Sequence, residues 1–74
     1  MEEFFIVSYN DNLLTYNKTP EQVDPYTGYI TAETNLYKDA KKVSIDEISS
    51  KLIFGQKVSI IAKGEVIEEI SIIN

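Results

Sequence analysis

The chain has 74 residues, enough for one domain with a small core, and 43% of them are hydrophobic. It contains no cysteine and no histidine, which excludes disulfide bonds, the common zinc and iron sites, and Ser-His or Cys-His catalysis. Twelve acidic residues face seven lysines and no arginine, and the net charge of −5 opposes the approach of nucleic acid.

The first predicted elements form a β-hairpin. Residues 4–9 are aromatic and β-branched, as strands are, and residues 13–16 are the predicted return strand. Between them, Asn10-Asp11-Asn12 tolerates the left-handed backbone of a tight turn. The same run offers oxygen ligands for calcium, but no glutamate follows at the spacing of a calcium loop, so no metal is predicted.

A long loop and a third strand come next. Residues 17–28 predict a loop with one short helical turn, because Thr19 and Gln22 suit a capped helix start and Pro25 ends it. Residues 29–37 alternate between apolar and polar side chains, which predicts one half-buried strand.

The strongest local signals predict a helix over residues 45–54. Ser44 and Glu47 have the spacing of a capping box, and Gly55 stands where a helix commonly ends. Apolar residues repeat at helical spacing along one face: Ile45, Ile48, Leu52 and Ile53.

Two further strands, 57–63 and 65–73, predict a C-terminal hairpin about a glycine turn. A two-residue turn would pair Ile60 with Ile67, whereas a bulged turn would pair it with Val66. The sequence does not decide between these registers.

The last strand is apolar on both faces. Glu68 and Glu69 are expected to place one carboxylate on each face, and Ile70, Ile72 and Ile73 follow them. One helix covers only one side of a sheet. These isoleucines are therefore predicted either to be enclosed within the domain or to bury against a second copy in a homodimer.

The predicted order is β-β-β-α-β-β in a single α+β domain over residues 1–74. This order fits one helix packed on a mostly antiparallel sheet, or a small curled barrel. It resembles the order of the five-stranded oligonucleotide- and oligosaccharide-binding barrel, although other α+β folds share it. Whether the sheet is open or closed is left undecided.

A tyrosine-bearing surface is the predicted binding site, with Tyr26, Tyr29, Tyr37 and Glu33 as its residues. Tyrosine is enriched at protein interfaces because it supplies rigid contact area with a polar tip. It is also a good strand former that covers sheet edges, which is the alternative explanation for these residues.

Catalytic, cofactor-binding and metal-binding residues are predicted to be absent, so the chain is not expected to be an enzyme. The sequence-adjacent acidic pairs Glu2-Glu3 and Glu68-Glu69 point to opposite sides of a strand, so they cannot act together as acid and base. The three glycines are far apart, which excludes a phosphate-binding loop.

The lysines Lys38, Lys41 and Lys42 cluster before the predicted helix, where we expect a solvated loop. They would support at most weak, salt-sensitive nucleic-acid binding.

We therefore predict a non-catalytic module that binds another protein, in one version a small phage or mobile-element accessory protein that inhibits a host protein. The alternative is a single-stranded nucleic-acid or oligosaccharide binder on a barrel fold. The acidic start at Glu2 and Glu3 does not suit a signal peptide, and the apolar runs are too short to span a membrane, which predicts a cytoplasmic protein.

Overall fold

Seven strands, one α-helix and one 3-10 turn make up the fold in a computed structural model that describes residues 2–74. The elements in chain order are β1 (Glu3–Asn10), β2 (Leu13–Asn17), β3 (Tyr26–Tyr29), β4 (Asn35–Lys38), β5 (Lys41–Lys42), α1 (Ile45–Ile48), the 3-10 turn (Ser49–Lys51), β6 (Lys57–Lys63) and β7 (Val66–Ile72).

Five of the strands close into a barrel. β1 pairs with β2 and β6, β2 pairs with β3, and β6 pairs with β7, all antiparallel. A parallel contact between Tyr29 of β3 and Val66 of β7 completes the ring. The structure thus fits the curled-barrel alternative of the sequence prediction. β4 adds to the other end of β7 in parallel, and β5 pairs with β4.

The order of elements differs from the prediction: β3 begins at Tyr26, inside the predicted loop 17–28, and Lys41 and Lys42 form the additional strand β5. The segment 29–37, predicted as one strand, is divided between β3 and β4. A turn interrupts it: the Thr31 N–H donates to Thr34 Oγ1 at 2.9 Å, and the Thr34 N–H donates to the Thr31 carbonyl at 3.1 Å. The alternation of apolar and polar residues continues through this turn, which explains why the pattern predicted a single strand.

The first hairpin is confirmed. Asp11 and Asn12 both have positive φ, 49° and 67°, which is the backbone of a tight two-residue turn between antiparallel strands. Asn10 pairs with Leu13 on either side of this turn. The loop after β2 contains no helix; the Gln22 side chain instead accepts a hydrogen bond from the Lys18 N–H at 2.7 Å.

The helix begins where the sequence predicted and ends earlier. Ser44 caps it by accepting a hydrogen bond from the Glu47 N–H at 3.4 Å. Regular α-helix ends at Ile48 and tightens into the 3-10 turn, so the predicted extent of 45–54 is wrong. Two consecutive serines follow Ile48, and serine competes for backbone hydrogen bonds and weakens helices.

The C-terminal hairpin has neither of the two registers considered. Its turn lies at Gly64 and the residue after it, and Ile60 pairs with Ile70. A bulge in β7 leaves Ile67 and Ile70 both fully buried, although an ideal strand would turn them to opposite faces. The two intervening glutamates therefore both avoid the apolar interior, which corrects the prediction of one carboxylate on each face.

The core fills the barrel, and α1, which packs beside β4, contributes Ile48 to it. It consists of Phe4, Ile6, Leu14, Tyr16, Ile30, Leu36, Ile48, Leu52, Val58, Ile60, Ile67, Ile70 and Ile72. Ile70 and Ile72, predicted as dimer contacts, are thus enclosed within one chain, and no second copy is needed to bury them. Ile73 remains half-buried. Self-association stays a prediction, but those two side chains are not its contact surface.

Candidate functional site

The outward side of β7 and of the strands beside it forms a continuous surface, which we call the β7 wall. Its residues are Tyr29, Glu33, Asn35, Tyr37, Val66, Glu68, Glu69 and Ser71. Neighbouring positions in a strand face opposite sides. Because Leu36 and Ile70 are buried in the barrel, their neighbours on β4 and β7 point outward.

Two of the three predicted tyrosines lie on this wall, one near each end. Tyr29 lies opposite Val66 and Tyr37 lies opposite Ser71, so five positions of β7 separate them. At about 3.3 Å for each residue, the two tyrosines are roughly 16 Å apart along the strand. Tyr29 is exposed and Tyr37 is half-buried. The distance suits contact with one segment of a partner protein and not with a small ligand.

Glu33 lies between the tyrosines, in a turn that is fixed to β7. The buried Thr34 hydroxyl donates to the Ile67 carbonyl at 2.7 Å, and the Glu33 N–H donates to Thr31 Oγ1 at 3.2 Å. A buried hydrogen bond that links two elements restricts their relative movement. The turn therefore presents the Glu33 carboxylate from a defined position.

The middle of the wall is acidic. A shallow depression of about 410 Å³ is lined by Glu33, Asn35, Lys63, Val66, Ile67 and Glu68. A second depression, of about 260 Å³, lies at the Tyr37 end and includes Glu69 and Asp39. One lysine, Lys63, lines the first depression and none lines the second, so the middle of the wall favours a partner that carries positive charge, whereas Lys42 lies beside Tyr37 at one end.

Tyr26, the third predicted tyrosine, does not belong to the wall. It pairs with Tyr16 across β2 and β3 and faces the same side of the sheet as buried Gly28. There it forms an edge-to-face contact with Phe4, with ring centroids 6.1 Å apart, and a tilted contact with Tyr16 at 5.6 Å. Tyr26 thus packs at one end of the barrel, and burial in this aromatic group raises the pKa of the Tyr16 hydroxyl.

An exposed ion pair lies near the same end. The Glu2 carboxylate is 2.6 Å from Lys18 Nζ. The hydrogen bond and charge of Lys18 lower the pKa of Glu2, and the same contact raises the pKa of Lys18. Both side chains are more than half exposed, and such pairs contribute little to stability because water screens them.

The clustered lysines lie on a strand hairpin and not on the solvated loop that we expected. Lys38 pairs directly with Lys41 across β4 and β5, and Lys42 pairs with Tyr37. Their hairpin joins the sheet beside the C-terminal half of β7, at the far end from Tyr29. No lysine pairs with the exposed β3 segment 26–29.

Residues 2–74 contain neither a cluster of metal ligands nor a long apolar helix. No group of three or more His, Cys, Asp or Glu side chains is arranged to hold a metal ion in this part of the chain. No helix among these residues is both long enough and apolar enough to cross a membrane.

One apolar surface was missed by the sequence prediction. Ile53 and Phe54 were assigned to the helix, yet they follow it and are exposed, Phe54 to 81%. Phe54 lines a groove of about 150 Å³, which we call the Phe54 groove, with Phe5, Ile6, Val7, Asn17, Pro20 and Gly55. Asn17 Oδ1 is buried without a hydrogen-bond partner. The sequence feature that could have indicated this exposed surface is the apolar pair Ile53-Phe54 directly before Gly55, where a helix was expected to end.

Comparisons with known proteins identify no relative: no family model, no curated protein and no solved structure matches this chain.

Proposed function

We propose that this protein is a non-catalytic interaction module that binds another protein through the β7 wall. The observation that carries the proposal is the placement of two tyrosines at the ends of a rigid, acidic surface. Exposed aliphatic side chains, Val66 on β7 and Ile61 on the adjacent strand, add apolar area beside them. Interfaces commonly combine aromatic anchors with a polar surround in this way.

The partner that fits this wall carries positive charge and exposes apolar side chains. Glu33, Glu68 and Glu69 would attract lysine or arginine, while Tyr29 and Val66 would contact apolar groups. The net charge of −5 would also accelerate association with a basic protein at low ionic strength. One concrete version is a phage or mobile-element accessory protein in the cytoplasm that inhibits a basic host protein.

The alternative function belongs to an oligonucleotide- or oligosaccharide-binding barrel. The strand neighbours around the ring, β1-β2-β3-β7-β6, support that more specific fold assignment. In such barrels the second and third strands and two adjoining loops bind the ligand. Here those two loops are two-residue turns that contain Asp11 and Glu65, and the nearby β3 surface pairs with no lysine. This charge distribution favours a protein ligand over nucleic acid.

We expect no tight nucleic-acid binding. A fluorescent single-stranded oligonucleotide should show at most weak binding at physiological salt, and that binding should disappear as salt rises, because it would use only Lys38, Lys41 and Lys42. Titration by fluorescence anisotropy measures this. Tight binding that Tyr29→Ala weakens would instead support the barrel alternative, with stacking on the β3 face.

The proposal is tested by affinity capture from the cell that makes the protein, followed by mass spectrometry. Tyr29→Ala combined with Tyr37→Ala should remove the captured partner, whereas Tyr26→Ala should retain it because Tyr26 faces the barrel end. Circular dichroism on each variant separates loss of binding from loss of fold. Retention of the partner by the double variant would refute the β7 wall as the binding surface.

A further inference from the structure

One half of β1 has an open edge. β1 pairs with β2 as far as Asn10, but it pairs with β6 only through Glu3, Phe4 and Phe5. The next residue, Ile6, exchanges hydrogen bonds with the loop before β6: its N–H donates to the Gln56 carbonyl and its carbonyl accepts from Gly55. In the part of the chain that the structure describes, no strand pairs with residues 7–10 on this side.

The geometry of the hairpin directs backbone groups to this edge. Asn10 and Leu13 flank a two-residue turn, so they form a hydrogen-bonded pair. Pairs alternate along an antiparallel ladder, and the next pair, Tyr9 with Leu14, is therefore not hydrogen-bonded. The N–H and carbonyl of Tyr9 consequently point away from β2, where a further strand would meet them.

The open edge lacks charged residues and proline, although a β-bulge interrupts the pairing of β1 with β2 at Val7, between Ile6 and Ser8. Edge strands are commonly protected by lysine, proline or other charged residues. β5 illustrates this protection, since its two residues are Lys41 and Lys42. Residues 7–10, Val-Ser-Tyr-Asn, contain no charge and no proline.

An exposed apolar surface adjoins this edge. The Phe54 groove includes Val7 and the backbone region of Gly55, where the loop before β6 leaves β1. Ile53 and Phe54 together expose apolar area that nothing in residues 2–74 covers. The open backbone and the apolar groove therefore form one continuous surface.

We propose that this surface is the seam of a homodimer, in which the open β1 edges of two copies pair antiparallel about a two-fold axis that sets Tyr9 opposite its own copy, and the Phe54 side chains bury at the ends of the seam. A two-fold axis places the same segment on both sides of the contact. Because residues 7–10 are uncharged, they meet their own copy without like-charge opposition, even though each chain carries a net charge of −5. Lys57, which lies opposite Phe5 on β6, is paired with Glu3 at 3.6 Å.

The required area is compatible with the size of the chain. A specific interface buries about 1,000 Å² or more in total, or about 500 Å² from each copy. That amounts to about a tenth of the chain's accessible surface of 4915 Å². The seam replaces Ile70 and Ile72 as the dimer contact. It is independent of the proposed function, because β6 lies between β1 and β7 and the β7 wall stays free.

Light scattering across a concentration series tests the dimer. The native chain should approach twice its monomer mass of 8.4 kDa at high micromolar concentration. Phe54→Lys should raise the dissociation constant about tenfold or more, as is common for an aromatic residue at an interface. Val23→Lys is the matched control: Val23 is equally exposed, lies outside the groove, and gives the same change of charge. It should dimerise as the native chain does.

Amide hydrogen exchange locates the seam. The Tyr9 amide should exchange more slowly as the native concentration rises, and this protection should be absent in Phe54→Lys. Ile53→Lys provides a second variant if Phe54→Lys does not fold. A mass that stays at 8.4 kDa up to millimolar concentration overturns the proposal. A dimer in which the Tyr9 amide gains no protection from exchange would also overturn the proposal. The same holds for a dimer that Phe54→Lys and Val23→Lys weaken equally.

Discussion

Replacing Ile70 by alanine should lower the free energy of unfolding by about 2–5 kcal/mol. Ile70 is fully buried, and β7 holds it between Ile60 of β6 and Leu36 of β4. The truncation therefore removes apolar contacts and leaves a cavity in the centre of the barrel. At about 0.05–0.15 kcal/mol for each residue, a chain of this length has only about 4–11 kcal/mol of stability. Urea denaturation followed by circular dichroism measures the change.

Ile61→Ala is the matched control for Ile70→Ala. Ile61 belongs to the same hairpin, but it is 52% exposed on the outside of the barrel. Its truncation should change the free energy of unfolding by less than about 1 kcal/mol, as is usual for exposed positions. Equal losses for the two variants would contradict the enclosed position of Ile70. They would instead favour a sheet that is apolar on both faces and covered by a second copy.

The second large effect is expected at Gly28, where β3 passes closest to β7. A Cβ at this position would lie 2.7 Å from Ile67 Cγ1 and 3.0 Å from Ile67 Cδ1. Ile67 is fully buried, so it cannot move aside without disturbing the core next to the closing pair of Tyr29 and Val66. Gly28→Ala should therefore cost about 1–3 kcal/mol through overpacking, measured by the same denaturation.

A double-mutant cycle isolates this contact. Ile67→Ala removes both atoms that the new Cβ would meet, so adding Gly28→Ala to that variant should cost much less than adding it to the native chain. An equal cost in both backgrounds would mean that the two residues do not touch. The barrel would then not close through β3 and β7 in the way described.

The parts of the fold that depend on short-range chemistry were predictable from the sequence. Asp11 and Asn12 both tolerate positive φ, and the first hairpin turns there. Ser44 caps α1 with Glu47 at the expected spacing. In each case, neighbouring residues supply the hydrogen bonds or the backbone conformation that fixes the element.

The remaining features depend on contacts between distant residues. The closing pair of Tyr29 and Val66 and the bulge that keeps Ile67 and Ile70 inside are set by packing across the barrel, which no local pattern records. The turn within 29–37 was hidden because its Thr34 is buried and keeps the alternation regular.

The candidate surface likewise depends on contacts between residues that are distant in the sequence. Tyr29, Glu33 and Tyr37 do lie on one surface, although β7 and not their own strand aligns them. Tyr26 is as exposed as Tyr29 but lies on the opposite face of β3, because three positions separate the two residues and an odd separation within a strand places them on opposite faces. The exposure of Phe54 was not predicted, because α1 was expected to extend to this residue, whereas the serines that follow Ile48 end the helix earlier.

The most direct test of binding through the β7 wall is a charge-reversal comparison in the affinity capture. Glu33→Lys with Glu68→Lys changes the middle of the wall, whereas Glu21→Lys with Asp24→Lys makes the same change of charge in the exposed loop after β2. The account predicts that the wall variant captures at least about tenfold less partner, because like charges then oppose each other at the contact. The loop variant should capture as much as the native chain. Equal capture by the two variants would contradict the account.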